Sequence, residues 1–377
     1  MNRKGFTLVE VIVILAVLSI LAAMAVPMAL RIFERTAEDT TREEMDNIKK
    51  ALLGNPQKLQ TSFRNDFGYL GDIGCLPSTA LGGLDRLLTQ GSLPVWTFDS
   101  TKQAGAGWKG PYITGTPGED FKKDQLGNDY TYTPVAGTCP LTATLVSNGP
   151  DGLPSTADDI TVTIVANDTT ATIRGTVKNT SGTGLAGVPV EYYSAANNGV
   201  LTTTSGTTDA NGNYSFSSAP FGQRAVRAVP FLVFEPGSVT TNGGRTDISF
   251  QVRNYSTSAY VITQVQAVFT GGANYDQIQI NNNTVDNGSN FISGQTVNLD
   301  AGDIAAGDTT IAAGTVATSS MRVVVDSPNT LVPDITLSGG TLGTIELNSF
   351  NQNMQNRTIT VTLNPGPSSS VVTFVVP

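Results

Sequence analysis

The sequence predicts an α+β chain: a long apolar N-terminal helix leading into a small globular head, then two all-β sandwich domains. Three observations predict it. Val11 to Leu30 is an unbroken run without a charged residue. The apolar pattern then continues at helical spacing to Leu52. Beyond residue 168 the composition shifts to alternating Thr, Val, Ile and aromatic runs separated by Gly, Asn, Asp and Pro turns, the pattern of a β-sandwich series. The 377 residues are enough for about two or three domains.

The helix comes first. Met1-Asn2-Arg3-Lys4-Gly5 is a short basic leader. An apolar helix over 11–30 is about 30 Å long, which matches a bilayer core. Arg3 and Lys4 hold the N-terminus on the cytoplasmic side, so the rest of the chain points outward. Phe33, Ala37, Thr41, Met45, Ile48 and Leu52 recur at three- or four-residue steps, one face of an amphipathic helix. Gly54-Asn55-Pro56 ends it. Glu10 breaks the pattern. A carboxylate in apolar surroundings is costly and asks for a partner. A secretory signal ending at Ala23-Met24-Ala25 is the competing reading. Glu10 would interrupt its apolar core, and the helical pattern runs on past Pro27.

Gly5-Phe6-Thr7-Leu8-Val9-Glu10 resembles the signal of the type IV pilin family. That resemblance implies cleavage between Gly5 and Phe6 by prepilin peptidase and methylation of the new Phe6 amine. It implies that Glu10 pairs with Phe6 of a neighbouring subunit, and that Pro27 marks a kink or melted stretch. A buried carboxylate is tolerable opposite a buried cation. The implied partners are further copies in a helical filament, an inner-membrane assembly platform, other minor pilins, and the membrane before assembly.

Residues 54–168 follow as the head. Gly107-Trp108-Lys109-Gly110-Pro111-Tyr112 and Asp124-Gln125-Leu126-Gly127-Asn128-Asp129-Tyr130-Thr131-Tyr132 resemble the major pseudopilin of type II secretion. The resemblance implies a pilin fold, with the long helix packed on a small antiparallel sheet, and one bound Ca²⁺. Asp151, Asp158 and Asp159 surround Gly152 and Pro154. Gly and Pro let a short loop fold back so that carboxylates converge, and Ca²⁺ takes six to eight oxygens. The family pattern adds the carbonyls of Asn148 and Thr156. An acidic surface turn without an ion is the alternative. Cys75 and Cys139 both fall in this outward-facing segment. In an oxidising envelope such a pair forms a disulfide, adding about 4 kcal/mol by chain-entropy arithmetic. Two buried free thiols are the alternative, and the family's pseudopilins commonly lack the pair. The charge runs Glu34-Arg35, Glu38-Asp39 and Arg42-Glu43-Glu44 read as a solvated or inter-subunit face.

The first sandwich is expected over 169–229. Ile173–Val177 begins it, Gly184–Tyr192 gives a turn and second strand, and Thr208–Phe216 gives a tight hairpin with Asn211-Gly212 at its centre. These motifs resemble the carboxypeptidase-regulatory-like or Cna-B-type sandwich, which implies a spacer or stalk. Some Cna-B relatives carry a lysine isopeptide bond. Only Lys178 is available, and alternation places it opposite Val177, so none is expected. The second, Ig-like sandwich is expected over 230–377. Its strands are Ile248–Val252, Val261–Phe269, Met321–Val325, Ile359–Leu363 and Val371–Val376. Asp300, Asp303 and Asp308 read as solvated turns, a second ion site being the alternative.

Composition bounds the function. There is no histidine, and the net charge is −9. Histidine-based catalysis and HExxH zinc sites are excluded, and no nucleic-acid partner is expected without clustered Lys and Arg. The sequence shows no GxSxG, P-loop or dinucleotide motif. The expectation is a structural subunit of a type IV filament displaying β-domains outside the cell. A filament-tip or membrane-anchored adhesin, and a periplasmic pseudopilin, are the alternatives. The expected location is the inner membrane before assembly, then an extracellular filament or a periplasmic pseudopilus.

Overall fold

A computed structural model describes residues 8–60, 63–114, 121–229, 232–288, 290–299, 308–314, 321–365 and 369–377. Gly5 and Phe6, with Asp300 and Asp303, lie outside them. The chain divides into two compact units. One holds Met1–Trp96, Ala106–Thr169 and Ala195–Val200; the other holds Thr97–Gly105, Thr170–Ser194 and Leu201–Pro377.

The first unit is built on helix α1, Leu8–Leu53, which runs unbroken through Pro27. Pro27 has no N–H, so the carbonyl four residues back loses its helical donor at that point. From Leu8 to Phe33 the apolar side chains lie open. The expected stripe is buried only in its lower part, at Thr41, Met45, Ile48 and Leu52, while Phe33 is 71% exposed. Gly54 stops the helix in a left-handed conformation, φ 81°, and a Cβ there would stand 2.3 Å from the Asp66 carbonyl oxygen. That close return brings α2, Gly68–Ile73, back onto the last turns of α1. A three-stranded antiparallel sheet follows, β1 (Thr131–Pro134), β2 (Ala143–Ser147) and β3 (Ile160–Ile164), with β2 in the middle. Strand β3 packs on α1. Tyr69, Leu70, Ile73, Leu145, Ile160 and Ile164 are buried with Met45, Ile48 and Leu52. The burial of each large apolar side chain is worth about 1.5–3 kcal/mol.

The second unit contains two sandwiches. The first is formed by β4 (Thr170–Asn179), β5 (Pro189–Ala196), β6 (Val200–Thr207), β7 (Asn213–Pro220) and β8 (Gly222–Ala228). The second uses β9 (Leu232–Phe234), β10 (Ile248–Asn254), β11 (Gln264–Phe269), β12 (Gln277–Ile280), β13 (Asn283–Asp286) and β14 (Thr296–Asn298). The chain then returns to the first sandwich with β15 (Met321–Val325), β16 (Asn329–Leu331) and β17 (Ile335–Leu337). It closes the second with β18 (Thr341–Asn348), β19 (Thr358–Leu363) and β20 (Ser370–Val375).

Strand β15 pairs antiparallel with β8, Met321 opposite Val226, and β16 and β17 run parallel to β4. This corrects the expected boundary. Met321–Val325 is a strand as read, but it completes the sandwich assigned to 169–229 rather than the one assigned to 230–377. The pairing buries Val323 and Val325. The Asn211-Gly212 turn also differs from its reading. It is tight, with Asp209 N–H donating to the Asn213 carbonyl at 2.8 Å. It joins β6 and β7, however, which lie in different sheets, so it is a crossover and not a hairpin. The Asp209 carboxylate accepts the Asn211 and Asn213 N–H groups, each at 2.8 Å. The turn therefore closes on a side chain rather than on a ladder.

The second sandwich shows clean alternation. Ile248, Phe250 and Val252 point into a core shared with Val265, Ile278, Ile345, Val361 and Phe374 from both sheets. The strand read over 261–269 is split, a short Tyr260–Val261 piece preceding β11. Residues 97–105, inside the segment read as head, belong to the second unit. There Ala104 packs with Tyr193 and Ala225, and Arg322 sits 5.0 Å over the Phe98 ring.

Candidate functional site

Two features of the first unit hold the candidate residues: the open half of α1 and the acidic loop. On α1, Glu10 lies in the first turn of the described helix on an exposed surface. Around it Leu8, Val9, Val11, Ile12 and Val13 are between 45% and 76% exposed. The helix is long and apolar enough to cross a membrane, and none of its apolar window is buried within the chain. Some 25 residues of apolar surface therefore require an environment other than water: lipid, or other helices.

The lower part of α1 is gripped by polar contacts. The Glu44 carboxylate accepts from the Tyr130 hydroxyl at 3.1 Å and from the Gln125 side-chain amide. Burial, reinforced by the negative Glu44, pushes the Tyr130 hydroxyl well above the usual phenol range. In the sequence Glu44 reads as part of a charge run on a solvated or inter-subunit face. The signal that could have found its role is the Asp124–Tyr132 motif, whose tyrosine needs a polar partner once buried.

Asp124 is the centre of that motif and is 5% exposed. Its carboxylate accepts from the Leu126 and Asn128 N–H groups at 3.0 and 2.8 Å and from the Ser147 hydroxyl at 2.7 Å. These donors, with the Asn128 side-chain amide at 3.4 Å, satisfy a buried carboxyl group that would otherwise be costly. Asn128 in turn donates to the Gly149 carbonyl at 3.1 Å. The motif thus ties the base of the acidic loop to the head sheet.

The loop itself is a web of turns. Asp151 accepts from Leu153 N–H at 2.8 Å, Asp159 from Ser155 N–H at 2.8 Å, and Asp158 from Asp151 N–H at 3.0 Å. The Thr156 hydroxyl lies 3.3 Å from an Asp151 oxygen and 3.2 Å from an Asp159 oxygen. Asn148 reaches the Gly152 carbonyl through its side chain at 3.5 Å. The Asp151 N–H, with help from Thr156, holds the Asp158 carboxyl below the usual carboxylate range. Two of the three predicted carboxylates, Asp151 and Asp159, converge on one atom. Among the described residues no group of three or more such side chains stands close enough together to hold a metal ion.

Cys75 and Cys139 are joined in a disulfide with Cα atoms 5.0 Å apart, closing a sequence separation of 64. Lys178, the one lysine considered for an isopeptide bond, forms an ion pair with Asp334 at 2.6 Å.

The N-terminus matches the prokaryotic N-terminal methylation motif over residues 1–26. That motif, together with the apolar α1, supports a pilin-like filament subunit that is anchored in a membrane before assembly. No curated protein matches the chain. Among solved structures the chain is similar to a proposed carbohydrate binding protein from Bacteroides uniformis, at 11% identity and a TM-score of 0.23, over 55% of this chain and 99% of that one. It is also similar to the major pilin SpaD of Corynebacterium diphtheriae, at 10% identity and a TM-score of 0.21, over 56% of this chain and 65% of that one. The BcpA major pilin subunit of Bacillus cereus is matched at 10% identity and a TM-score of 0.15, over 55% and 69% of the two chains. Likenesses at this level carry no argument about this chain.

Proposed function

We propose that this chain is the structural subunit of a type IV filament on the cell surface. Its role is scaffolding and display rather than catalysis. The observation that carries the proposal is the uncovered apolar stretch of α1, which begins inside a methylation motif spanning residues 1–26. In this reading prepilin peptidase cuts between Gly5 and Phe6 and the Phe6 amine is methylated. The α1 helices of successive copies then cover one another's apolar faces. Glu10 sets the register, because a carboxylate moved from the membrane surface into a helix bundle needs the neighbouring Phe6 amine opposite it. The inner-membrane assembly platform and minor pilins supply and cap the growing filament. The two sandwiches project outward, where bulk does not obstruct packing. In a pseudopilus working inside the periplasm the same bulk would crowd the secretion channel.

The acidic loop is the proposed site of one structural Ca²⁺. The support is chemical. Asp151, Asp158, Asp159 and the carbonyls of Asn148 and Thr156 are all hard oxygen donors, which suit Ca²⁺, and Asp151 and Asp159 already converge. The ion would neutralise a loop that few apolar contacts hold in place. Adding CaCl₂ is expected to raise the thermal midpoint of the full chain, and Asp159→Ala to abolish that response. An identical midpoint with Ca²⁺ and with chelator removes the ion from the account.

Immunogold electron microscopy tests the filament. Cells making the chain are expected to carry labelled filaments outside the envelope, and Glu10→Val is expected to leave labelled membranes without them. Label confined to the periplasm supports a pseudopilus instead. Membrane label on the wild type with no filament supports an anchored adhesin.

A further inference from the structure

We infer that the free edge of β20 is a self-association surface: two copies of this chain pair their Ser370–Val375 strands antiparallel about Thr373, continuing one sheet into the next. Strand β20 lies at the margin of the sheet ordered β14-β11-β19-β20. Its inner side pairs with β19, Thr373 opposite Thr360 and Val371 opposite Thr362. Among the described residues no strand forms a backbone ladder with its other side, while β9 packs against its buried face, the Ser370 hydroxyl donating to the Leu232 carbonyl at 2.7 Å and the Phe374 ring stacking on Phe234. In an antiparallel ladder alternate residues aim their N–H and C=O groups to opposite sides. Half of the β20 backbone groups therefore face outward.

Proteins blunt such margins with short strands, charges or proline. The other margins of this sandwich follow that rule. β14 and β9 have three residues each and β13 has four. β20 has six residues, Ser-Val-Val-Thr-Phe-Val, with no charge, glycine or proline among them. Val371 and Val375 are 54% and 58% exposed.

The sequence of the strand names the occupant. Read outward from Thr373, the neighbours are Val372 and Phe374, then Val371 and Val375, so the strand is nearly its own mirror. Antiparallel pairing about Thr373 sets Thr373 against Thr373 and Val371 against Val375 on both sides of the two-fold axis. Exposed β-branched cross-strand pairs of this kind favour pairing, and a self-complementary patch closes as a symmetric dimer contact. Charge favours the same partner. The chain carries a net charge of −9, so copies repel across most approaches. The outer face beside this margin, Thr358, Thr360, Thr362, Gln264, Gln266 and Val268, carries none. Near one end, a Cβ on Gly187 would stand 3.9 Å from the Val371 carbonyl oxygen, so approach is tighter at Val371 than at Thr373 and Val375.

Cysteine cross-linking on the full chain tests the pairing. Both native cysteines are joined to each other, so a single introduced thiol reports alone. Under mild oxidation in membranes, Thr373→Cys is expected to give a disulfide-linked dimer on a non-reducing gel. Mixed Val371→Cys and Val375→Cys chains are expected to cross-link severalfold more than either alone. Adding Thr373→Lys to that mixture is expected to suppress the dimer. Thr296→Cys, at the opposite margin, controls for chance collision. A monomeric Thr373→Cys chain overturns the inference, as does equal dimer from Thr296→Cys. So does an adduct whose mass belongs to a different protein, which would make the edge a docking strand for an extended peptide. Retention of the Cys75–Cys139 bond in each variant verifies folding.

Discussion

Asp124 shows how much a single buried carboxylate holds. It takes the N–H groups of its own turn and the Ser147 hydroxyl from the head sheet. Its neighbours Gln125 and Tyr130 reach Glu44 on α1. Asp124→Ala leaves the Leu126 and Asn128 N–H groups and the Ser147 hydroxyl without this acceptor and is expected to destabilise the chain by roughly 2–4 kcal/mol. Chemical denaturation measures this. Asp124→Asn, which keeps an acceptor oxygen, is expected to cost less, and equal losses in both variants would mean that the charge itself is what matters. The sequence shows Asp124 plainly as part of a motif with Gly127, Asn128 and Tyr130. It does not show that the carboxylate is buried, because burial depends on Ser147, which is distant along the chain. The acidic loop has the opposite character. Asp151, Asp158 and Asp159 are evident from their spacing around Gly152 and Pro154, but spacing does not say whether carboxylates face one another or their own backbone.

At the level of elements, α1 was the most readable piece. Its apolar run, its stripe at Met45, Ile48 and Leu52, and its stop at Gly54 are local signals of helical period. The stripe is not buried at Phe33, because the head covers only the last turns of the helix. β10 was equally readable, since Ile248, Phe250 and Val252 alternate against a single core. Alternation marks Met321–Val325 as a strand but does not say which sheet it joins, and in the fold it pairs with β8 of the first sandwich. Asn211-Gly212 marks a turn without saying whether the strands on either side are partners. The Cys75–Cys139 bond fastens two loops of the head, and its removal is expected to cost about 2–5 kcal/mol. The double variant Cys75→Ser with Cys139→Ser should unfold at lower denaturant than the wild type. Reductant should shift the wild type and leave the variant unchanged. A wild type indifferent to reductant contradicts the bond's role.

For the molecule as a whole, the buried phenols make an integrated probe of packing. Burial raises Tyr69, Tyr112, Tyr132, Tyr214 and Tyr275 above the ordinary phenol range, with Asp72 adding to the effect at Tyr112. A phenol whose folded-state pKa is raised keeps its proton in the fold. Its contribution to stability is complete below the unfolded value of about 10 and is lost as pH climbs above it. Alkaline titration followed by phenolate absorbance should therefore show only part of the ten tyrosines ionising near pH 10, the rest appearing as the chain unfolds. All ten ionising together with the fold intact would contradict the packing described.

The apolar length of α1 has no cover among the described residues, and the account assigns that cover to other copies of the same helix. Electron cryo-microscopy of filaments purified from cells making this chain is the most direct test. The account predicts a central bundle of α1 helices, each beginning at a methylated Phe6 whose amine lies beside Glu10 of a neighbour, with both sandwiches on the outside. A filament whose axis is built from the β-domains, with α1 outside the bundle or missing, would contradict it.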